Sequence, residues 1–257
     1  MINQIIVEKA KKKLLEMHFE SGVGHIGGNL SALDAILVVF HEFLALELGD
    51  HFILSKGHSA GALYVALWSR GLLSDEDLLL FHKDGTLLGG HPPAHGIDAI
   101  PFATGSLGHG LSLAAGTALA NKIKGVSSKT YCLMSDGEFQ EGSTWEAIIF
   151  LAHHALTSLT VLIDNNQLQG FGSTIDIASM SNLYDRLQGF NVEIFVIPGH
   201  DLDAIRDAIT VDSLKPKFII LNTVKGHGIS FMENKMEWHY LPLNRTQYLA
   251  ALSELDG

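Results

Sequence analysis

One cysteine in 257 residues, Cys132, leaves no intrachain pair, which excludes a disulfide framework and fits a reducing compartment. Lying in an apolar run, Cys132 reads as a small buried hydrophobe. Basic residues are also scarce. Lys and Arg total 17 against 28 Asp and Glu, a formal net charge of -11, so a nucleic-acid backbone or an anionic membrane is repelled on average. Long hydrophobic runs are missing too: residues 35–40 are strongly apolar but end at His41 and Glu42, far short of the ~20 residues that cross a bilayer. The N-terminal run places its lysines after a short apolar stretch, the reverse of a secretory signal. A cytoplasmic protein without membrane or nucleic-acid partners is expected. No internal repeat, low-complexity segment or linker stands out, so a single domain over 1–257 is expected.

Short β-branched or apolar runs at 52–54, 130–134, 160–163, 192–197 and 218–223 predict buried strands. Helix-like stretches at 30–46, 107–124, 140–154 and 202–210 lie between or beside them, with Ser31 and Asp34 offering a capping box for the first. A last helix is expected at 245–255. This alternation predicts an α/β protein with a mainly parallel sheet flanked by helices on both faces. In such sheets, ligands meet the loops that follow the strands.

Two of those loops are polar. The strand at 130–134 runs into Ser135-Asp136-Gly137, and the strand at 160–163 into Asp164-Asn165-Asn166-Gln167-Leu168. Asp136 and Asn166 lie thirty residues apart, the length of a strand-helix-strand unit, so both side chains reach one end of a parallel sheet. A carboxylate and an amide oxygen, completed by a backbone carbonyl, water and ligand phosphates, suit Mg²⁺. Gly137 permits close backbone approach, and the following helix start favours an anion. A diphosphate ligand is the expectation.

The Asp136-Gly137 pair and the closing Asn166 resemble the thiamine-diphosphate motif, with Ser135 replacing its usual first Gly. Four further segments, Gly24-His25-Ile26-Gly27-Gly28, Leu54-Ser55-Lys56-Gly57-His58, Gly90-His91-Pro92 and Thr104-Gly105-Ser106-Leu107-Gly108, resemble the transketolase family in order. The likeness continues through Lys225-Gly226 and Met232-Glu233-Asn234 to Trp238-His239. It implies a thiamine-diphosphate-binding fold, with Asp136, Asn166 and the Leu168 carbonyl as ligands for Mg²⁺, or for Ca²⁺ or Mn²⁺. It also implies cofactor contacts from His58, Gly105, Ser106, Leu107, Asp136, Gly137, Glu138, Asn166, Leu168 and His239. His25, His58 and His91 would face the reacting groups, where neutral imidazoles can donate or accept near neutral pH. Glu141 and Glu146 match carboxylates near a subunit interface that communicate with the glutamate activating the cofactor; a solvated helix face is the other reading.

The resembling enzymes continue with pyrimidine-binding and C-terminal domains, and no match to them follows in these 257 residues. The resemblance therefore implies a separately encoded pyrimidine-binding subunit, which would supply the activating glutamate, in an assembly with two copies of each chain (a heterotetramer). The implied activity is transfer of a two-carbon ketol from a ketose or sugar phosphate to an aldehyde. Alternatives are the α chain of a 2-oxoacid dehydrogenase or a related acyloin-forming enzyme, and a noncatalytic regulatory or assembly subunit. His109 and His227 replace residues common in the family and carry no assigned role. His153 with His154, and His91 with His95, have unsuitable spacing or orientation for a zinc site.

Overall fold

A computed structural model describes residues 1–256. Its five-stranded sheet has the order β1-β2-β3-β7-β6 and is parallel throughout. These strands are β1 (His51–Leu54), β2 (Thr130–Ser135), β3 (Leu159–Asn165), β6 (Glu193–Pro198) and β7 (Lys217–Asn222). All five runs expected as strands form them, within two residues at each end. A separate antiparallel ribbon pairs β4 (Leu168–Gln169) with β5 (Gly172–Ser173).

β2 is buried along its whole length because helices cover both faces. Its alternating side chains divide between two cores. Tyr131 and Leu133 join the cluster beneath α1 (Gln4–Ser21), α2 (Ile26–Val38), α3 (Ala60–Ser69) and α9 (Leu202–Thr210). Cys132 and Met134 join the cluster beneath α5 (Gly110–Lys124), α6 (Gly142–His153) and α8 (Leu183–Gln188). Truncating a fully buried member such as Leu133 to Ala would cost about 2–5 kcal/mol, the transfer term plus a cavity. Two short helices, α4 (Asp75–Leu78) and α7 (Thr174–Ala178), precede the C-terminal α10 (Arg245–Asp256).

The expected capping box at Ser31 and Asp34 is corrected. α2 begins at Ile26, and both residues lie inside the helix and are buried. Ser31 donates to the Gly28 carbonyl and the Asp164 carboxylate, while Asp34 meets His200. Tertiary partners have taken the side chains that a cap would use. The helical run Ile26–Phe43 has the length and mean hydropathy of a membrane span, but 83% of it is buried within the fold. It is the central core helix, and its apolar character comes from burial on all sides.

Candidate functional site

The carboxyl ends of four strands converge on one cleft of about 490 Å³. β1 delivers Lys56 and His58, β2 delivers Asp136 and Gly137, β3 delivers Asn166, and the loop after β7 delivers Lys225. His25, Gly105, Leu107, Leu168 and His239 also line it.

Asp136 is 2% exposed. Its Oδ1 accepts from Gly137 N at 2.8 Å and its Oδ2 from Gln167 N at 2.6 Å. Burial, then the neighbouring Asp164 charge, pushes its carboxyl up to about 7. Gln167 takes a left-handed φ of 62°, turning the chain sharply between Asn166 and Leu168. That turn lets Asn166 Oδ1 accept from Leu168 N at 3.0 Å, while Asn166 Nδ2 points down to Asp164. Beneath them Lys56 and Asp164 form an ion pair, 1% and 0% exposed. Lys56 is thus committed to Asp164 and leaves Asp136 without a cation of its own.

Three imidazoles form the opposite wall. The rings of His25, His58 and His239 lie 5.2 to 5.6 Å apart, centroid to centroid. Burial lowers all three: His25 to about 4, His239 to about 3, and His58 well below its ordinary value. Lys225 Nζ lies 2.9 Å from His239 Nδ1 and donates weakly to the Leu168 carbonyl at 3.4 Å. Burial and the Lys56 charge lower the Lys225 ammonium to about 8. At neutral pH the wall therefore combines uncharged imidazoles with two ammonium groups.

Oxygen donors fit a hard cation here: a buried carboxylate without a countercharge, an amide oxygen and a backbone carbonyl. The ammonium groups of Lys56 and Lys225 fit the anionic portion of a diphosphate, a charge arrangement that a metal alone would not require.

Of the sites expected from sequence, His91 and Ser106 lie in a shallow groove beside the cleft, next to Gly105. Gly105 has φ 150°, and a Cβ there would meet the His91 ring at 2.9 Å, so only glycine lets that ring lie against this backbone. Tyr64 fixes the His91 loop by donating to the Gly89 and His91 carbonyls at 3.0 and 3.1 Å. Glu141 is exposed at the cleft edge, whereas Glu146 is exposed on α6 and does not line the cleft. Glu138 faces away from the cleft. It is 0% exposed, and its carboxylate accepts from Ser55 Oγ, from Gly108 N at 3.0 Å and from Ser135 N at 2.8 Å. Its place is a strut joining three loops, in contrast to the expected direct cofactor contact. Lys56 and Lys225 belong to the matching segments, but the resemblance gave them no role; their position in otherwise apolar or Gly-rich surroundings was the available signal. Among the described residues no His91–His95 or His153–His154 metal group occurs.

The family model described as transketolase, thiamine diphosphate binding domain, matches residues 10–254. One of the two chains of the apulose-4-phosphate transketolase of Phocaeicola vulgatus is 36% identical, over 97% of this chain and 92% of its own. A 6-deoxy-6-sulfo-D-fructose transketolase subunit of a Clostridium species is 34% identical, over 96% of this chain and 93% of its own. Human transketolase is 33% identical over 91% of this chain, which spans 39% of that enzyme. The crystal structure of Campylobacter jejuni transketolase superposes with a TM-score of 0.89 at 26% identity, covering 99% of this chain and 43% of the other. The chain belongs to the transketolase family, as a thiamine-diphosphate-binding domain of a transketolase-type transferase.

Proposed function

We propose that this chain is the cofactor- and metal-holding subunit of a split transketolase, active with a separately encoded pyrimidine-binding subunit. One observation carries the reading: Asp136, buried and without a countercharge, faces a cleft whose other wall holds Lys56, Lys225 and three neutral imidazoles. Asp136, Asn166 Oδ1 and the Leu168 carbonyl would hold Mg²⁺, with Ca²⁺ or Mn²⁺ as substitutes. Lys56 and Lys225 would face the diphosphate, and Gly105, Leu107 and Gly137 would let backbone approach it. Thiamine diphosphate supplies the electron sink for breaking a ketose carbon–carbon bond.

The chain's own contribution is to bind, orient and manage protons. His25 and His58, uncharged at neutral pH, offer a ring N–H and a lone pair to substrate hydroxyls, while His91 serves the same role from the adjoining groove. His239 shares the lone pair on Nδ1 with the Lys225 ammonium and thereby orients it. The Lys56–Asp164 pair fixes the floor, so the donors need little rearrangement when a ligand arrives.

The relatives are themselves named as subunits and match this chain in length, which supports a partner chain. Phe171, Ile177 and Tyr240 rim the cleft and are 84%, 47% and 55% exposed, an apolar border suited to such a partner. A cytoplasmic heterotetramer and ketose or sugar-phosphate donors with aldehyde acceptors complete the reading. The test combines this chain, its cognate subunit, Mg²⁺ and thiamine diphosphate and measures ketol transfer between a panel of ketoses and aldehydes. Cofactor-dependent transfer by the pair is expected; absence of transfer across the panel in a pair that forms and binds cofactor would overturn the assignment.

A further inference from the structure

Behind the Lys225 loop, His200 is gripped on two edges and one face. Its Nδ1 lies 2.7 Å from Asp34 Oδ2, and its Nε2 accepts the Val224 backbone N–H at 2.9 Å. An accepting Nε2 carries no proton, so the proton sits on Nδ1 and is donated to Asp34. The His227 ring lies on its face, centroids 3.5 Å apart and planes inclined by 18°. Asp34 is 2% exposed and its Oδ1 has no partner, so among the described residues His200 is the group that pairs this buried carboxylate.

Asp34, His200 and His227 bring ligand-type atoms within 4.8 Å of one another. A shared metal ion does not suit them. Both His200 nitrogens are already used, and two rings stacked nearly parallel cannot both aim in-plane lone pairs at one ion. The arrangement is that of a clamp.

What it clamps is specific. Val224 immediately precedes Lys225, whose ammonium reaches the cleft, and the next residue, Gly226, donates to the Gly27 carbonyl at 2.9 Å. Asp34 rides on α2, whose N-cap is His25. A single imidazole therefore joins the helix behind His25 to the loop bearing Lys225. We infer that Asp34 and His200 are positioning residues that hold Lys225 toward the anionic ligand through the Val224 N–H, with His227 covering the His200 ring. The ligand's identity rests on the proposed function; the clamp itself does not.

The test uses the full chain and three variants. His200→Phe keeps a ring for stacking but removes both hydrogen bonds, and His200→Gln returns an acceptor near the Nε2 position. His227→Leu removes only the stack. Nitrogen NMR of the wild-type chain should show His200 as the Nδ1–H tautomer. Amide exchange at Val224 should quicken by about tenfold or more in His200→Phe, while exchange in β3 and the urea unfolding midpoint stay near wild type. Calorimetric binding of thiamine diphosphate with Mg²⁺, in the assembly with the partner subunit, should weaken by about ten- to a hundredfold in His200→Phe and recover substantially in His200→Gln. Wild-type exchange at Val224 in His200→Phe would overturn the clamp. Faster exchange with unchanged cofactor affinity would overturn its link to Lys225. Failure of the wild type itself to bind the cofactor would instead overturn the function proposed above, leaving the exchange result to decide the clamp. Should His200→Phe fail to fold, His227→Leu decides: the same changes at smaller amplitude are expected, and wild-type exchange and affinity would overturn the inference.

Discussion

Asn166 donates through Nδ2 to Oδ2 of Asp164, 3.2 Å away, and that oxygen also receives the Lys56 ammonium. A buried ion pair thus sets the direction of the amide above it. With Nδ2 turned down, Oδ1 is left at the cleft loop beside Asp136. Ser31 and Thr223 donate to the same carboxylate, so Asp164 is fully surrounded by donors. Burial opposes its charge, but Lys56 and these hydroxyls hold its carboxyl below the usual range.

Asp164→Asn should therefore destabilise the chain by about 3–5 kcal/mol, because it leaves the Lys56 ammonium buried without a countercharge. Urea unfolding at pH 7 measures this. A loss under about 1 kcal/mol would mean that water reaches Lys56 and that the pair is not a buried one.

Asp136→Ala or Asn166→Ala should remove detectable Mg²⁺-dependent binding of thiamine diphosphate while leaving circular dichroism near wild type. Each deletes one oxygen from a loop, not from a packed core. Chelating the metal from the wild-type assembly should reproduce the loss, and adding Mg²⁺ should restore it. Normal affinity in either folded variant would sink the metal assignment.

Much of this site is legible in the sequence because its residues end strands. Residues 130–134 and 160–163 are short apolar runs that stop at Asp136 and in Asp164-Asn165-Asn166, and polarity at the end of a parallel strand faces the ligand edge. The helix at 202–210 is legible to the residue, since Asp201 caps it and its apolar stripe is regular. Less legible are the partners that only folding brings together. Ser31 and Asp34 have the spacing of a cap, and nothing local reveals that residues 133 and 166 positions away claim their side chains. Glu138 follows the motif directly, yet its carboxylate turns back to Ser55, 83 residues upstream. α1 and α3 are not among the expected helices: α1 mixes lysines with its buried stripe, and α3 is apolar on nearly every face, which weakens the helical period in both.

His25 sits in the left-handed region, φ 66°, as the N-cap of α2, and makes no side-chain cap bond there. Strain at a non-glycine residue of this kind costs roughly 1 kcal/mol or more. His25→Asn should accordingly raise stability by up to about 1 kcal/mol, since Asn tolerates this conformation, while turnover falls roughly ten- to ten-thousandfold. Chemical denaturation and steady-state kinetics of the assembly read the two effects separately. A variant that is both less stable and fully active would contradict the assignment of His25 to function.

His18 is completely buried against Phe81, and neither ring nitrogen has a hydrogen-bond partner. Burial lowers it from 6.5 to about 4. The unfolded chain therefore takes up a proton before the folded chain does, so stability is full above pH 6.5 and is lost as pH falls from 6.5 toward 4. The gap corresponds to about 3 kcal/mol. His18→Leu should flatten the stability profile by that amount between pH 6.5 and 4, measured as the difference between urea profiles of variant and wild type. Parallel profiles would show that the ring is protonated in the folded chain.

The final prediction concerns the apolar rim of the cleft. Phe171 is 84% exposed between the two strands of the β4–β5 ribbon, with Ile175, Ile177, Tyr240 and Leu241 each about half exposed. Large apolar groups left in water at the mouth of a charged cleft favour coverage by another surface, and aromatic anchors carry much of the binding energy in such contacts. Phe171→Asp should weaken association with the pyrimidine-binding subunit by at least about tenfold, because it places a charge where an aromatic ring would be desolvated. The isolated variant should unfold at the wild-type urea concentration, since Phe171 packs little against its own chain. Activity should fall at low subunit concentration and return as the partner is raised, which separates lost assembly from lost chemistry. Sedimentation of mixed chains measures association directly. Undiminished association in Phe171→Asp would move the partner away from this rim, while an activity loss that excess partner cannot restore would place Phe171 in the chemistry of the cleft.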